Sequence, residues 1–356
     1  MNNKKGLSDV VTTLIIILLV IVAVGILWVA LRGLITKGTT QINNADFTTD
    51  LQIQRVTVNP NSVDVKVKLD QGTKIDGVLI SISDGTNSQS FERMILFNSQ
   101  EEKTINVNYT GVVSKVSVYP IIINDQGQKS TGQIADKFDF STKDILTNMG
   151  AVSWWKFEGN ANDEMGKNPG TINGGVTFVD GKYGKSASFD GTSGYVQMTN
   201  SPSLNPTSQI TISTWIKINS FPLDYAMIFD SGSTWPWYGY QLYCNGTGNV
   251  VFEMYTTADS YVTSRTISTG TWYMLTTTYD GSNYKIYLNG ILDSSGAKTG
   301  NINYTIMVNP TIGKRAPSYG VSPYFLNGQI DEPMFFNRAL SDTDVKALYN
   351  MDLNKK

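Results

Sequence analysis

Histidine is absent from this chain of 356 residues, and cysteine occurs once, as Cys244. Without histidine the protein cannot build a Ser-His-Asp or Cys-His catalytic group, a histidine-ligated zinc site or a histidine pH switch. A lone cysteine cannot form an internal disulfide bond, so core packing or a bound ion must stabilise the fold. These absences disfavour the cysteine-rich class of small secreted domains.

Concentrated positive charge is also missing. The chain carries 28 Lys and Arg against 30 Asp and Glu, for a net charge of −2. Basic residues outnumber acidic ones only near the N-terminus, where Lys4, Lys5, Arg32 and Lys37 face a single acid, Asp9. The remainder is mildly acidic and offers no basic face, so we expect no nucleic-acid partner.

The longest uncharged run extends from Val10 to Leu31 and is rich in Ile, Leu and Val. At about 1.5 Å rise per residue, a helix of this length spans the roughly 30 Å hydrocarbon core of a bilayer. We therefore predict a transmembrane helix. Basic residues flank both ends and do not orient it, but the Asn/Thr-rich composition downstream indicates an external face. Three Asn-x-Thr sequons there are candidate glycosylation sites, at Asn108, Asn245 and Asn303.

The motif Lys4-Lys5-Gly6-Leu7-Ser8-Asp9 stands directly before this apolar run. It resembles the class III signal peptide of type IV pilins and archaellins, particularly of archaeal pilin-like proteins. The resemblance implies cleavage between Gly6 and Leu7 on the cytoplasmic side, after which the helix bundles with other pilin-like subunits. Val11 stands where the bacterial pattern has Glu. A plain signal anchor held by membrane lipid therefore stays open as the alternative.

Between Phe47 and Phe140 the apolar period falls to two, which is typical of half-buried strands. The clearest case has apolar side chains at Val63, Val65, Val67 and Leu69. Together these short strands predict an immunoglobulin-like β-sandwich, residues 45–140, which we interpret as a stalk followed by a polar linker, 141–150. The other strand-like runs, separated by turn signals, are Leu51–Val58, Val78–Ile82, Met94–Phe97, Ile105–Tyr109 and Val112–Ile123.

From Trp154 onward, strand and turn signals recur roughly every 8 to 12 residues, which indicates an antiparallel two-sheet fold. Asn289-Gly290 is the strongest two-residue hairpin signal, so Ile291 should begin a return strand. One predicted strand places Trp215 on one face and four isoleucines on the other, namely Ile210, Ile212, Ile216 and Ile218.

A short helix is predicted at the C-terminal end of the chain. Ser341 is its N-cap, with Asp344 three residues later, and Val345 and Leu348 face inward.

A series of short motifs runs from residue 155 to residue 341. In order they are Trp155-Lys156-Phe157-Glu158, Asp163 to Thr171, Phe189-Asp190-Gly191, Tyr195-Val196, Ile212 to Lys217, Gly270-Thr271-Trp272, Tyr279-Asp280-Gly281, Tyr287 to Gly290, Thr311 to Arg315, Gly328 to Glu332 and Asn337 to Ser341. The series resembles the laminin G-like, concanavalin A-like lectin/glucanase jelly roll. Where that family usually has a His pair, this chain has Tyr273-Met274. The resemblance implies a jelly-roll domain over residues 151–352.

No catalytic residues are predicted. The glucanases of this fold use two carboxylates on one strand, placed about 5 Å apart in retaining enzymes. Glu253 stands alone on its strand, and the adjacent Asp331 and Glu332 should face opposite sides of theirs. A surface-tethered glycoside hydrolase therefore remains only an alternative.

The predicted ligand contacts are Trp235, Trp237 and Tyr238, in a loop broken by Pro236. Exposed aromatic rings can stack on the apolar face of a sugar. The same rings could instead close over the edge of the core. The resemblance implies a glycan or an extracellular protein as ligand, and no residue decides between them.

A structural Ca²⁺ is the one cofactor that the resemblance implies. Asp side chains supply the hard oxygen ligands that this ion prefers, and Asp163, Asp190 and Asp331 each stand at a turn or strand end in a matching motif. Aspartates at turns also cap backbone amides, so this second role stays open for all three.

The predicted protein is all-β with one N-terminal transmembrane helix. Its parts are a signal peptide (1–6), a pilin-like helix (7–44), the sandwich stalk, the linker and the jelly roll. We expect a single-pass membrane protein or surface filament, largely extracellular, that acts in binding and adhesion. A structural surface-layer component is the further alternative.

Overall fold

The computed structural model describes residues 49–72, 74–231, 239–256, 259–304, 308–316 and 324–353. Three predictions lie outside these residues: the transmembrane helix, the cleavage site between Gly6 and Leu7, and the ligand contacts Trp235, Trp237 and Tyr238. Within the described ranges, no helix is long and apolar enough to span a membrane.

The first unit, which we call the N-terminal sandwich, consists of two antiparallel sheets. One has the strand order β1-β2-β5; in the other β4 pairs β3, β3 pairs β6, and β7 and β8 both pair β6. The side chains of Val63, Val65, Val67 and Leu69 are fully buried, which confirms the predicted alternation. The strands are β1 (Asp50–Asn59), β2 (Ser62–Gln71), β3 (Gly77–Ser83), β4 (Ser88–Arg93), β5 (Glu102–Asn108), β6 (Lys115–Ile123), β7 (Lys129–Thr131) and β8 (Asp136–Asp139).

One predicted strand of this unit is wrong. Met94–Phe97 forms no strand, and of this run Phe97 alone makes a bridge, with Ile75. The strand at this point is β4, which ends at Arg93 and pairs along its length with β3. Its serine- and glutamine-rich sequence carries no apolar alternation, so the period-two signal misses it.

The predicted linker contains a helix, α1 (Thr142–Asn148), which the sequence reading missed. Its N-cap is Ser141, whose side chain accepts from the Asp144 amide, while the Asp144 carboxylate accepts from Ser141 in return. This capping box was the available signal. Ile145 and Leu146 of the helix are buried in a hydrophobic cluster, so the segment packs rather than links.

The described residues of the second unit, which we call the C-terminal jelly roll, form two large antiparallel sheets, one α-helix, α2 (Asp342–Asn350), and a short 3₁₀-helix (Pro202–Leu204). The seven-stranded sheet has the order β10-β13-β22-β15-β16-β17-β18, and the eight-stranded sheet has β11-β12-β23-β14-β19-β20-β21, with β9 pairing β23. The strands are β9 (Ala151–Trp154), β10 (Gly170–Asn173), β11 (Thr177–Asp180), β12 (Lys185–Asp190), β13 (Tyr195–Met198), β14 (Ile210–Ile218), β15 (Tyr225–Asp230), β16 (Tyr240–Asn245), β17 (Asn249–Tyr255), β18 (Asp259–Thr266), β19 (Tyr273–Tyr279), β20 (Asn283–Leu288), β21 (Ile291–Ala297), β22 (Thr311–Ile312) and β23 (Asn327–Phe336).

One core fills the space between these sheets, and both contribute to it. The four isoleucines of β14 lie in this core, while Trp215 belongs to a separate cluster on the outer face of the eight-stranded sheet. Both placements were predicted. The Asn289-Gly290 turn is also confirmed, since Leu288 pairs with Ile291 and both turn residues have positive φ.

The outer face of the eight-stranded sheet is covered by the two described helices. Val345 and Leu348 of α2 pack there with Leu146 of α1 and with Trp215. The predicted capping of α2 by Ser341 is confirmed, because its side chain accepts from the Asp344 amide. Val112 of the N-terminal sandwich lies in the same cluster, so the two units share buried surface.

Candidate functional site

The outer face of the seven-stranded sheet is the other broad surface of the jelly roll. Tyr240, Leu242 and Cys244 of β16 point into the core, so Gln241 and Tyr243, which alternate with them, point outward. The same alternation sends Tyr225 outward, next to the buried Ala226. Side chains of β15 and β16 thus meet on this face, beyond the reach of the two described helices.

Three tyrosines form an aromatic cluster on this face. The Tyr225 ring lies 4.7 Å from that of Tyr243 and 5.0 Å from that of Tyr324, between centroids, and both contacts are edge-to-face. The Arg315 guanidinium lies 5.4 Å from the Tyr324 ring centroid, within cation–π range. Tyr225 keeps 36% of its surface exposed, so the cluster presents aromatic surface to solvent.

Polar groups border the tyrosines. The Tyr243 hydroxyl donates to Oε2 of Glu253 at 3.3 Å. Burial, and secondarily the Glu253 charge, raises the pKa of Tyr243 well above its ordinary value, so the hydroxyl stays protonated and able to donate. The face therefore combines aromatic rings with charged and hydroxyl groups.

Asp230, at the end of β15, ties three segments together. Its Oδ2 accepts from Nε2 of Gln241 at 3.0 Å and from the Ala316 amide at 3.1 Å. The carboxylate is fully buried. The end of β15, the start of β16 and the turn that carries Arg315 are thereby held in fixed relation.

The predicted aromatic loop, 232–238, lies outside the described residues, and its described neighbours on either side are Ser231 and Gly239. Ser231 directly follows Asp230, and its Oγ accepts from the Tyr240 amide at 2.8 Å. Sequence reasoning missed Tyr225, Tyr243 and Tyr324; for Tyr243 the available signal was its alternation with the apolar residues of β16.

Two of the three proposed metal-binding aspartates act as turn caps. Asp163 accepts from four backbone amides, those of Trp154 and Met165 on Oδ1 and those of Lys167 and Asn168 on Oδ2, at 2.8 to 3.0 Å. N–H groups aimed at both oxygens fill the positions that a cation would need. Asp163 therefore does not fit a metal site.

Asp190 is engaged in the same way. Its Oδ1 accepts from the amides of Thr192, Ser193 and Gly194, and its Oδ2 accepts from the Thr192 and Ser193 hydroxyls. Hydrogen bonding, with the Ser193 hydroxyl first, holds the pKa of Asp190 well below its usual range. The carboxylate is satisfied without a cation, and it too fits a turn cap.

Asp331 differs, because only one of its oxygens is engaged. Oδ2 accepts from the Lys182 and Tyr183 amides at 2.7 and 2.8 Å, whereas Oδ1 is buried and has no hydrogen-bond partner among the described residues. In Glu332, likewise, Oε2 accepts from Nε1 of Trp154 and Oε1 is buried without a described partner. Two buried carboxylates therefore each present one open oxygen.

The expectation that Asp331 and Glu332 face opposite sides of the strand is wrong. Glu332 has a φ of +52°, in the left-handed region, and the pairing register of β14 with β23 shifts at this point. The irregular backbone breaks the alternation of side chains. Glu332 bonds Trp154 and Asp331 bonds the β11–β12 turn, so both carboxylates lie on the side of the outer cluster.

Burial shifts the ionisation of this pair. Loss of hydration raises the pKa of Asp331 to about 7 and that of Glu332 to about 8. The Glu158 charge raises both further, while Lys156 opposes the shift for Glu332. Glu158 itself is anchored to the β11–β12 turn, where its Oε1 accepts from the Lys185 amide at 2.9 Å. Across the described residues, no three Asp, Glu, His or Cys side chains converge as a complete metal-ligand set.

The three sequons differ in accessibility. Asn108 and Asn303 are exposed, whereas Asn245 is half-buried in a turn. Its Oδ1 accepts from the Thr247 amide and hydroxyl and from the Asn249 amide. Glycosylation stays a prediction at all three sites. The side chain of Asn245 is already hydrogen-bonded within its own turn.

Comparison with known proteins identifies the fold of the second unit. Residues 190–346 match the family model described as the concanavalin A-like lectin/glucanases superfamily, in agreement with the two packed antiparallel sheets of this unit. No curated protein matches the chain.

Two solved structures illustrate the similarity. Domain 4 of AbnA, a GH43 extracellular arabinanase from Geobacillus stearothermophilus, solved with arabinotriose, is 23% identical, with a TM-score of 0.46 over 56% of this chain and 98% of that one. The binding domain of botulinum neurotoxin serotype C1 is 18% identical, with a TM-score of 0.46 over 58% of this chain and 52% of that one. This chain thus spans about half the length of the toxin structure.

The raised pKa values predict how stability depends on pH without a bound cation. Because carboxyls ionise near pH 4 in the unfolded chain, the folded protein holds more protons than the unfolded one between about pH 4 and pH 8. The free energy of unfolding should therefore fall as pH rises through this window, by about 1.4 kcal/mol for each unit of raised pKa. Urea unfolding of the full-length chain in the presence of a chelator measures this change in the free energy of unfolding. The chain has no histidine, so no histidine titrates in the same pH range.

The control is the double variant Asp331→Asn, Glu332→Gln, in which neither side chain can ionise. Its stability should be nearly flat over the same window. A wild-type protein that gains stability between pH 5 and pH 8 would contradict the assignment.

Proposed function

We propose that this protein is a cell-surface binding protein whose jelly roll binds a glycan through the outer face of its seven-stranded sheet. The observation that carries the proposal is the aromatic cluster of Tyr225, Tyr243 and Tyr324 with Arg315 and Glu253 beside it. Sugar rings present an apolar C–H face and paired hydroxyls at their edge. Aromatic rings match the first, and forked guanidinium and carboxylate groups match the second.

The burial of Asp331 and Glu332 supports a protein that binds its ligand without catalysis. Asp331 is 0% exposed and Glu332 is 1% exposed, so neither carboxyl reaches a substrate at the surface. On the described strands β16 and β17, Glu253 is the one carboxyl beside the tyrosines, whereas a glycoside hydrolase needs two. Release of reducing sugar from a polysaccharide by the purified protein would favour the glycoside hydrolase alternative.

A glycan array and a panel of soluble polysaccharides test the proposal, with Tyr225→Ala as the diagnostic variant. Loss of an exposed ring at the centre of the site should weaken binding about tenfold or more, while the free energy of unfolding changes by about 1 kcal/mol or less. Val179→Ala, at an exposed position on the other sheet, is the matched control and should bind normally. If the protein binds an extracellular protein and no glycan, the ligand is a protein and the glycan-binding proposal is wrong.

The same proposal includes a structural Ca²⁺ at Asp331. The open oxygens of Asp331 and Glu332 suit a hard cation, and Glu158 adds negative charge next to the same turn. With only two buried carboxylates, backbone carbonyls and water would supply the remaining ligands. A bound cation would neutralise the pair and hold the β11–β12 turn against the sheet.

Calcium should therefore raise the melting temperature of the full-length protein by mass action, and chelator should reverse the effect. Asp331→Asn should abolish the shift. Asp190→Asn, which removes a turn cap, should lower the melting temperature but leave the calcium-induced increment intact. Equal increments in wild type and Asp331→Asn would remove Asp331 from the site.

For the N-terminal part, the proposal is a pilin-like helix below a sandwich stalk, held in the membrane or in a filament with other pilin-like subunits. Mass spectrometry of the protein from its native membrane should find a mature N-terminus at Leu7. Gly6→Val should block this cleavage, because the class III signal peptide that the motif resembles is cut directly after its glycine. An N-terminus at Met1 or Asn2 in the wild type would favour the plain anchor.

A further inference from the structure

Aromatic contacts continue beyond the tyrosine cluster, toward the β13 side of the same face. Tyr195 of β13 points outward, since its neighbour Val196 is fully buried in the core. The Lys314 ammonium lies 4.2 Å from the Tyr195 ring centroid and 5.4 Å from that of Phe325. Phe325 directly follows Tyr324 of the cluster in the sequence, so these contacts lie next to the tyrosine cluster.

On the opposite side the contacts continue to the edge of the sheet. Tyr243 bonds Glu253 of β17, and Glu253 pairs across the strands with Tyr261 of β18. Val262 packs in the core, so Tyr261 points outward, and 63% of its surface is exposed. We call the series of rings from Tyr195 to Tyr261 the aromatic belt.

The belt crosses the strands instead of following one of them. It extends from β13 through β22, β15, β16 and β17 to β18, which are successive neighbours in the sheet. At about 4.8 Å per strand spacing this is roughly 24 Å. One strand spacing is close to the advance of one pyranose residue along an extended chain, so the belt has the length of about five sugars.

The partly exposed charges along the belt are of both signs. Lys314 is positive and Glu253 is negative, whereas Arg315 and Asp230, which are also of opposite sign, are buried. A face without net charge does not select a polyanion or an anionic lipid surface.

We infer that the aromatic belt binds an internal stretch of an uncharged, unbranched glycan lying across the strands, with about five consecutive sugars in contact. This inference rests on the proposed glycan-binding function and specifies its ligand class. The central rings, Tyr225 and Tyr324, contact every ligand, and the end rings, Tyr195 and Tyr261, contact only chains long enough to reach them.

The test is calorimetric titration of the full-length protein with cello-, xylo-, manno-, laminari- and arabino-oligosaccharides of increasing length, together with the parent polysaccharides. For the series that binds, affinity should rise with each added sugar up to about five residues and then level off. Tyr195→Ala and Tyr261→Ala should each weaken binding of the longest oligosaccharide about tenfold and leave that of the disaccharide unchanged. Tyr261→Phe, which retains the ring, should bind nearly as wild type does.

Two other outcomes overturn the inference. Affinity that is already maximal with a mono- or disaccharide, and unaffected by the end variants, means a terminal-sugar site, and the glycan-binding proposal then stands without the belt. Binding to none of the oligosaccharides or polysaccharides removes the proposed function together with the inference. Thermal denaturation of each variant checks that it is folded.

Discussion

The outer faces of both sheets of the jelly roll depend on one interaction, the packing of the two sheets against each other through a shared aromatic core. Phe229 of the seven-stranded sheet stacks on Phe335 of the other, with ring centroids 6.0 Å apart, and on Tyr240 at 5.9 Å. Tyr240 is fully buried, and its hydroxyl is satisfied by the Leu204 carbonyl at 2.8 Å. Because side chains alternate along a strand, each residue that fills this core sends its neighbours outward. The aromatic belt on one side and the helix-covered cluster on the other are therefore two consequences of one packing.

The features that sequence reasoning predicted correctly are those set by local chemistry. A strand buried on one face must alternate, so the isoleucines of β14 and Trp215 were placed on the right sides. Asn289-Gly290 adopts positive φ at low cost, and Ser341 caps a helix through a contact three residues away. Each of these signals lies within a few residues of the feature that it predicts.

The candidate site was harder to foresee because long-range contacts assemble it. Tyr225 and Tyr324 meet only after β15 and the segment before β23 come together, and no short pattern records that. Glu332 was misplaced since a left-handed backbone at a glutamate has no sequence signature. The helix Thr142–Asn148 did have one, but a seven-residue polar segment between two β units reads first as a linker.

The cluster that joins the two units has a consequence for cooperativity. Val112 of the N-terminal sandwich lies in the same buried cluster as Leu146 of α1, Val345 of α2 and Trp215. Unfolding of either unit would expose apolar surface belonging to the other, so each contributes to the stability of its neighbour. We therefore expect the two units to unfold cooperatively, so that destabilising the N-terminal sandwich also lowers the stability of the C-terminal jelly roll.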